Sequence, residues 1–355
     1  MKSSYLRKAV TRLLDFALRD RTGSGRYINQ FLLSLNRSSP FSFYTYHHRP
    51  KKARDVHLDA VSATYQNLPP TAIVIQGPVV WNDDFTLESV KLYRRLMPEA
   101  RIIVSTWAGI ASEKINAFRE AGAIVVISEP PAVSGGNNVN FQLVSTRVGI
   151  EHAKTLGCSH VVKTRSDQRF YAQNLLPYLH SILEDYPSID VGRQRQRIVE
   201  LSTNICRYRP YSMCDMFQFG HIDDMSIMWN VPLDSRSFSV GEYSSQKITP
   251  RKISSDRIAE IYIHRAYLEA IGEVTRVELG TYYGHLAKYF VVIDKETVDL
   301  FWNKYSALEY GLAENPMYGS FRPKARLYSR DWHMLRKYGV NSLDTSDQLL
   351  DMPEN

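Results

Sequence analysis

The chain has 355 residues, which is enough for one large α/β domain with extensions or for two modest domains. A hydrophobic content of 44% and a charged content of 23% are ordinary for a soluble globular protein. The 44 basic and 37 acidic residues give a net charge of +7. This charge suits an anionic partner such as a nucleotide diphosphate, a phosphorylated glycan or a membrane surface. It is too small and too evenly spread along the chain to indicate nucleic acid.

The first 70 residues are predicted to form an N-terminal extension. Apolar residues repeat at helical steps from Leu6 to Leu18, and basic residues from Lys2 to Arg19 surround them. One interpretation is that residues 1–35 lie on an anionic membrane surface, and the other is a helix packed on a catalytic domain with its basic face in water. Residues 36–70 are predicted to be an irregular lead-in because they mix polar, aromatic and proline residues.

Strands alternate with helices from Thr71 onwards. Apolar strands are predicted at residues 72–76, 101–107 and 123–127, with helices at residues 86–97 and 112–122 between them. The first strand ends in a turn at Gly77-Pro78. This alternation predicts a parallel, helix-covered sheet of Rossmann-like topology. No G-x-G-x-x-G motif follows the first strand, which argues against a dinucleotide cofactor.

Residues 135–169 predict a glycine-rich loop, a helix, a buried strand and a charged turn. The loop GGNN tolerates tight backbone geometry, and the helix that follows carries Asn140 and Arg147 one heptad apart. The strand at residues 160–164 delivers the sequence RSDQR at its carboxyl end. Open α/β sheets bind their ligands at that end of their strands, so this turn is a candidate ligand site.

The chain beyond residue 190 is predicted to add strands at residues 198–201, 216–220 and 289–293, and helices at residues 221–229, 257–271 and 295–305. Asp223 and Asp224 open the first of these helices. They are either caps that respond to the helix dipole or a general-base site beside His221, and the pair alone does not decide. Residues 234–256 are predicted to be a lid or binding loop, and residues 311–355 a C-terminal extension with a polar tail.

The cysteines and the hydropathy indicate the compartment. Cys158, Cys206 and Cys214 lack paired metal-ligand spacing and cannot all form disulfides, which predicts reduced thiols in a cytoplasmic protein. No apolar run of about 18 residues occurs, so we expect no transmembrane helix. The amino terminus also lacks the apolar run of a secretory signal.

Residues 135–169 resemble the donor half of a nucleotide-sugar glycosyltransferase of the GT-A type. The chain as a whole resembles the WavE-type lipopolysaccharide-synthesis family, from about residue 71 to about residue 305. The blocks that carry this resemblance, in the expected order, are VIQGPVV, TLESVKLYRRLMP, RIIVSTW, NFQLVST, VVKTRSDQRFY, DMFQFGHIDDMSIMW and YFVVIDKETVDLFW. Within them, KTRSDQR and FGHIDD are the most specific parts.

The resemblance implies a fold and an activity. The expected fold is a GT-A-like, Rossmann-type α/β sheet at residues 71–310, with helical extensions at residues 1–70 and 311–355. The expected activity is hexosyltransferase-like transfer of a sugar from a nucleotide-sugar to a bacterial surface glycan, lipopolysaccharide core or capsule. The expected acceptor is a glycan or lipid-linked oligosaccharide. The enzyme would act on the cytoplasmic side, as a cytoplasmic protein or peripherally on the inner face of the membrane.

The resemblance also implies roles for individual residues. Asp167 would hold a divalent metal, Mn²⁺ or Mg²⁺, although Arg165 stands where the first Asp of an Asp-x-Asp motif would be. Alternatively, the cations Lys163, Arg165 and Arg169 would neutralise the departing diphosphate directly. Asp223 or Asp224 would be the general base of an inverting reaction. The remaining donor-binding candidates are Gln76, Gly77, Pro78, Asn137, Asn140, Arg147 and Gln168.

Two alternatives to this function stay open at the level of sequence. One is a sugar-phosphate transferase on a related scaffold, which would share the basic cleft. The other is a non-catalytic glycan-binding or assembly subunit whose acidic motif has been reduced to Asp167. A binder would hold oligosaccharide but would neither bind nor hydrolyse nucleotide-sugars.

Overall fold

The structure is a computed structural model that describes residues 24–38, 40, 47–58, 67–238, 248–303 and 326–352. The chain divides into two compact units, Met1–Arg49 and Pro50–Asn355. In the first unit, the described helix is α1, Ser24–Ser38. The apolar pattern from Leu6 to Leu18, with its predicted membrane contact, lies outside the described residues. Among the described residues, no helix is long and apolar enough to cross a membrane.

The second unit contains nine strands and nine helices among its described residues, besides short 3₁₀ turns. The strands are β1 Thr71–Gln76, β2 Arg101–Trp107, β3 Ile124–Ser128, β4 His160–Arg165, β5 Gln168–Phe170, β6 Ile198–Leu201, β7 Gln218–His221, β8 Phe290–Ile293 and β9 Leu300–Trp302. The helices are α2 Phe85–Leu96, α3 Ser112–Glu120, α4 Val139–Thr155, α5 Leu175–Asp185, α6 Ile222–Trp229, α7 Pro250–Asp256, α8 Ala259–Ala270, α9 Leu279–Tyr289 and α10 Ser329–Tyr338.

Seven of the strands form one central sheet, in the order β3-β2-β1-β4-β7-β6-β8. All neighbouring strands are parallel except β7, which is antiparallel to both β4 and β6. Gln76 pairs with Arg165, so β1 and β4 end together. We call this side of the sheet the carboxyl edge; it carries the carboxyl ends of the six parallel strands and the start of β7. The predicted GT-A-like α/β sheet flanked by helices is confirmed by this architecture.

Close helix packing covers both faces of the sheet. All six residues of β1 are buried, as expected of a parallel strand covered on both sides. Parallel crossovers are right-handed as a rule, and with this strand order α2 and α3 fall on one face and α4, which connects β3 to β4, on the other. On α4, a Cβ added to Gly149 would lie 2.4 Å from Val74 Cγ1, so the helix approaches β1 as closely as it does because this residue is glycine.

Most predicted elements are confirmed within a few residues, but the helix predicted at residues 295–305 is wrong. Its described part contains β9, which pairs antiparallel with β5, so that Gln168 lies opposite Trp302. At these residues, pairing with a strand that is distant in sequence outweighs the helical pattern of the local sequence. The predicted loop at residues 234–256 contains α7, and its residues 239–247 lie outside the described part. The domain boundaries at residues 70 and 310 stay predictions.

Candidate active site

A rigid lip forms where β1 and β4 end at the carboxyl edge. Ser166 donates its backbone N–H to Gln76 O at 2.9 Å and its hydroxyl to Pro78 O at 2.6 Å. Gly77 has φ +111°, and a Cβ there would lie 3.2 Å from Ser166 Oγ. The Gln76 side chain is buried and accepts a hydrogen bond from Ser145 at 2.8 Å. The predicted donor residues Gln76, Gly77 and Pro78 therefore lie together with the turn that carries Asp167.

Asp167 and Arg165 form a bidentate ion pair beside this lip. Arg165 Nε lies 2.9 Å from Asp167 Oδ1, and Arg165 Nη2 lies 3.0 Å from Asp167 Oδ2. Both side chains are partly accessible, at 21% for Arg165 and 15% for Asp167. The Asn303 backbone N–H, directly after β9, donates to Asp167 O at 2.8 Å and so fixes the turn. The pair places one guanidinium at the carboxyl edge in a defined orientation.

The oxygen ligands that Asp167 could offer are not arranged to hold a divalent metal. Both carboxylate oxygens accept hydrogen bonds from the guanidinium, so a cation already occupies the place that a metal would take. Within the described ranges, no group of three His, Cys, Asp or Glu side chains is placed to hold a metal ion. Magnesium sites at phosphates use one or two carboxylates that are free to coordinate. The metal role of Asp167 stays a prediction, and no step below depends on it.

The other basic candidates of this strand and turn point into the protein. Lys163 is fully buried, donates to Asp215 O, and lies 4.5 Å from the ring centroid of Trp229. Burial lowers the pKa of Lys163 to about 8. Arg169 is also buried and donates to the oxygens of Ser89, Lys51 and Phe85 at 2.9, 2.8 and 2.7 Å. Of the three cations considered for the diphosphate, Arg165 is therefore the accessible one.

Gln168, the next predicted donor residue, is buried at the start of β5. Its Nε2 donates to the sulfur of Met216 at 3.1 Å, and its Oε1 has no hydrogen-bond partner among the residues that the structure describes. An unpaired buried acceptor is unusual in a folded protein. Gln168 thus has unused hydrogen-bonding capacity next to Asp167.

Two residues of α4 that were predicted to bind the sugar donor, Asn140 and Arg147, form hydrogen bonds within the protein. Asn140 donates to Val133 O at 2.9 Å and Asp234 O at 2.7 Å, and accepts from the Asp234 N–H at 2.8 Å. Arg147 donates to Val231 O at 2.8 Å, beyond the end of α6. These side chains connect α4 to the chain after α6, so the structure assigns them packing contacts.

Asn137 behaves differently from Asn140. It lies in the loop before α4 with φ 53°, a left-handed conformation that asparagine tolerates. Its side chain is half-buried, and its buried Nδ2 forms no hydrogen bond within the described part of the chain. A buried amide donor of this kind is one that a bound ligand can satisfy. Asn137 therefore remains a donor-side candidate.

Close to Asn137 in the chain, Phe141 belongs to an aromatic cluster that no sequence pattern indicated. The rings of Trp107 and Phe141 meet edge to face with centroids 5.5 Å apart. Ser128 pairs with Trp107 in the sheet, and Ser128 Oγ and Gln142 Oε1 are both buried and find no partner in the described ranges. We call Trp107, Ser128, Asn137, Phe141 and Gln142 the aromatic corner. It combines half-buried rings with unsatisfied polar atoms at strand and helix ends, a combination suited to a heterocyclic base.

Asp223 and Asp224 lie at the opposite edge of the sheet. Since β7 runs antiparallel to β4, His221 pairs with His160, the first residue of β4. The six residues of β4 separate this end from Asp167 by roughly 17 Å along the strand. The structure therefore does not bring the two predicted base residues to the predicted donor residues.

The surroundings of these two aspartates are those of structural groups. Asp224 is buried and accepts the backbone N–H groups of Arg195 and Gln196, each at 2.9 Å; burial raises the pKa of Asp224 to about 6. Burial acts to raise the pKa of Asp223 as well, but the hydrogen bond and ion pair with Lys154 outweigh it and lower that pKa. The general-base role of the pair stays a prediction.

A second pair of carboxylates, Asp215 and Glu260, was missed from sequence and lies at the carboxyl edge. Asp215 precedes β7 and accepts the Lys163 ammonium on its backbone oxygen. Glu260 is in the first turn of α8, half-buried, and accepts from Ser212 Oγ at 3.4 Å. Burial raises the pKa of Glu260 to about 7, and the negative charge of Asp215 acts in the same direction.

The next turn of α8 is anchored in the interior. His264 Nε2 lies 2.7 Å from Glu200 Oε1 on β6, and both side chains are fully buried. Gln218 on β7 also donates to Glu200 Oε1 at 2.9 Å. This network fixes α8 against the sheet and holds Glu260 at the carboxyl edge. Asp215 opens the quoted block DMFQFGHIDD, whereas nothing in the amphipathic pattern of α8 distinguished Glu260.

Comparison with known proteins gives one family and several distant structures. The profile of the family described as WavE lipopolysaccharide synthesis matches residues 71–278, more than half of the chain. No curated protein matches the chain in sequence.

Three solved structures illustrate the distant likenesses. A cytidylyltransferase from Leptospira borgpetersenii is 13% identical with a TM-score of 0.27, and the match covers 45% of this chain and 63% of that one. HddC from Yersinia pseudotuberculosis is 11% identical with a TM-score of 0.28, covering 48% and 83%. A glycosyltransferase involved in glycosylation of the major capsid of PBCV-1 is 12% identical with a TM-score of 0.25, covering 45% and 66%. At such scores, these likenesses carry no information about substrate.

Proposed function

The chain belongs to the WavE lipopolysaccharide synthesis family, and we propose that it is a glycosyltransferase that moves a sugar from a nucleotide-sugar donor to a bacterial surface glycan. The acceptor would be lipopolysaccharide core or capsule glycan, on the cytoplasmic side of the membrane. The observation that supports this most is the carboxyl edge itself: within the matched region it combines an oriented guanidinium, a carboxylate whose pKa is raised by burial, and buried polar atoms that pair with no other described residue.

On the donor side, the proposal assigns the aromatic corner to the nucleotide base and Arg165 to the diphosphate. The rings of Trp107 and Phe141 provide an apolar surface, and Asn137 provides a donor that the fold leaves unsatisfied. Negative charge grows on the departing diphosphate in the transition state, so a fixed cation there stabilises the transition state more than the ground state. Asp167 acts through Arg165, by holding the guanidinium in place.

On the acceptor side, the proposal assigns the general base to Glu260. The acceptor hydroxyl gives its proton to the Glu260 carboxylate while its oxygen attacks the anomeric carbon. The bond from that carbon to the diphosphate breaks, and the nucleoside diphosphate leaves with the electron pair. A base with a pKa near the operating pH is the effective choice, and such groups contribute roughly 10²- to 10⁴-fold.

A panel of UDP-, GDP-, CMP- and dTDP-sugars, each with and without Mn²⁺, tests the donor assignment by thermal shift. A donor that binds only the folded protein raises its unfolding free energy by about 2.7 kcal/mol at 100 times the dissociation constant. We expect one nucleotide class to stabilise the protein and Asn137→Ala to weaken that effect. If none of the donors shifts the unfolding temperature, the glycosyltransferase proposal fails.

A non-catalytic glycan-binding or assembly subunit is the second candidate. The ion pair favours it, because the Arg165 guanidinium occupies both oxygens of the carboxylate that the GT-A resemblance would assign to a metal. Mass identification of the nucleotide released during incubation with donor and acceptor separates the candidates. A transferase releases nucleoside diphosphate or monophosphate in step with glycan extension, a sugar-phosphate transferase adds a phosphate to the glycan, and a binder does neither.

A further inference from the structure

A basic groove lies beside α2, and its lining includes neither Glu260 nor any residue of the aromatic corner. It encloses about 660 Å³ and is lined by Lys52, Ala53, Arg54, Glu88, Lys91, Arg94, Arg95 and Ala121. Five of these residues are cationic and one is acidic. A volume of this size is within the range of small-molecule sites, roughly 300–1,000 Å³. The groove therefore has the size of a ligand site and a strong excess of positive charge.

Two arginines of the groove are held in place by uncharged partners. Arg94 donates to the backbone oxygens of Pro98 at 2.9 Å, Ala100 at 3.2 Å and Gly122 at 2.7 Å. Arg95 donates to the backbone oxygens of Ala53 and Val56. Carbonyl oxygens orient a guanidinium but do not neutralise its charge, so each arginine keeps a full positive charge in a fixed position.

The single carboxylate of the groove is directed into the protein. Glu88 is 6% exposed and accepts the Ala53 backbone N–H at 2.8 Å. Lys91 lies 3.2 Å and Lys52 3.7 Å from Glu88 Oε1. Burial acts to raise the pKa of Glu88, but these donors outweigh it and lower that pKa. Lys52 also lies 3.4 Å from Asp84 Oδ2, and Arg54 lies 3.8 Å from Asp55 Oδ1. Among the described residues, Arg94 and Arg95 are therefore the groove cations that pair with no carboxylate.

We propose that the basic groove binds the phosphate groups of a phosphorylated saccharide acceptor. Fixed guanidinium groups match the geometry of phosphate oxygens, and charge-assisted bonds to them are about twice as strong as neutral ones. A concave site with half-buried arginines suits a discrete phosphorylated ligand better than the flat surface of a bilayer. This assignment of the acceptor class rests on the proposed glycosyltransferase function.

The position of the groove fits that role. Thr86, in the first turn of α2, donates to Ser166 O at 2.9 Å, so this end of the helix is attached to the lip beside Asp167. Glu88 follows two residues later, and Arg95 is seven residues further, roughly 10 Å along the axis. A phosphorylated oligosaccharide anchored along α2 therefore has one end within a helical turn of the carboxyl edge.

The test compares two exposed groove residues with two exposed basic residues elsewhere. The groove variant is Arg54→Gln with Lys91→Gln, and the control is Arg330→Gln with Lys337→Gln on α10. Both variants remove one arginine and one lysine, and neither touches the arginines that hold backbone oxygens. The probe is a fluorescently labelled phosphorylated core oligosaccharide, used with the same oligosaccharide after dephosphorylation, without any donor.

We expect the full-length protein to bind the phosphorylated probe more tightly than the dephosphorylated one. The groove variant should lose at least about tenfold in affinity, since one lost charge-assisted bond is already worth a factor of this order, and the control variant should match the unchanged protein. Inorganic pyrophosphate should compete. Equal binding by groove and control variants, or equal binding of both probes, would overturn the proposal.

Two further arms separate the sources of phosphate. If vesicles of phosphatidylcholine with phosphatidylglycerol bind in a groove-dependent way while the oligosaccharide does not, the site belongs to a membrane and the proposal fails. If pyrophosphate binds but the oligosaccharide does not, a saccharide acceptor is likewise ruled out. Because none of these measurements uses a nucleotide-sugar, they can succeed or fail independently of the donor panel.

Discussion

Replacement of Gly149 by alanine should destabilise the protein, although alanine normally favours a helix. The added Cβ would lie 2.4 Å from Val74 Cγ1 and 3.2 Å from Ser105 Cβ. Val74 is fully buried on the central strand β1, so its methyl group has no room to retreat. Overpacking of this kind costs about 1–3 kcal/mol. Removal of glycine from a helix interior regains about 1 kcal/mol, which leaves a net loss of up to about 2 kcal/mol.

Gly284 in α9 provides the matched control. It also lies inside a helix, but a Cβ there has Val340 Cγ1 as its nearest neighbour at 4.0 Å, an ordinary contact. Gly284→Ala should therefore stabilise the protein by about 0.5–1 kcal/mol. The assay is urea unfolding of both variants followed by circular dichroism. If Gly149→Ala is as stable as Gly284→Ala, α4 does not approach β1 as closely as the structure shows, and the expected overpacking is refuted.

Three further predictions concern the candidate site and its surroundings. Burial raises the pKa of Asp224 from its ordinary 3.8 to about 6, so the contribution of this group to stability is full below about pH 4 and is lost as pH rises towards 6. Asp224→Asn should remove this pH-dependent part, up to about 3 kcal/mol, from the unfolding free energy. An unchanged pH profile of stability would contradict the pKa shift. Asp167→Ala should lower turnover by about 10²-fold or more, because Arg165 loses its bidentate partner, whereas near-normal turnover would exclude the assignment. Asn140→Ala should lower the unfolding free energy by about 2 kcal/mol, because three hydrogen bonds are lost. Asn137→Ala should leave stability unchanged but weaken the binding of the nucleotide-sugar in the thermal-shift assay. The reverse result would contradict the roles given to the two residues.

Local patterns were sufficient to predict the strands and helices that end at the lip. In β1 and β2, apolar runs bounded by turn residues coincide with buried strands, and the glycine-rich loop before α4 adopts left-handed backbone conformations. The helix predicted over β9 failed for the opposite reason. That strand exists because it pairs with β5, more than 100 residues earlier, and no local pattern shows that pairing.

Strand direction determined which site predictions came together. Asp223 follows a predicted strand that ends in a glycine, and Asp167 follows a predicted strand that does not, so both are expected at the carboxyl ends of strands. Because β7 is antiparallel to its neighbours, its end lies at the opposite edge and its beginning, next to Asp215, lies at the carboxyl edge. A single sequence does not reveal that reversal.

Side-chain roles were the least predictable part of the site. Asn140 and Arg147 are polar residues on one side of a helix, a spacing that indicates a ligand-facing surface as readily as a packing contact. Their partners are backbone groups near Val231 and Asp234, which are distant in sequence. The pKa of Glu260 is raised by burial and, to a smaller extent, by the charge of Asp215, and both effects arise only in the tertiary fold.

The role of Glu260 as general base can be measured in the pH profile of donor-dependent transfer by the unchanged protein, Glu260→Gln and Asp223→Asn. We expect the rate of the unchanged protein to rise with pH through about 7, as the Glu260 carboxylate loses its proton. Glu260→Gln should lower the rate by roughly 10²- to 10⁴-fold and flatten this rise, while Asp223→Asn should keep both the rate and the profile. A normal rate in Glu260→Gln, or loss of the rate in Asp223→Asn with donor binding intact, would exclude Glu260 as the base.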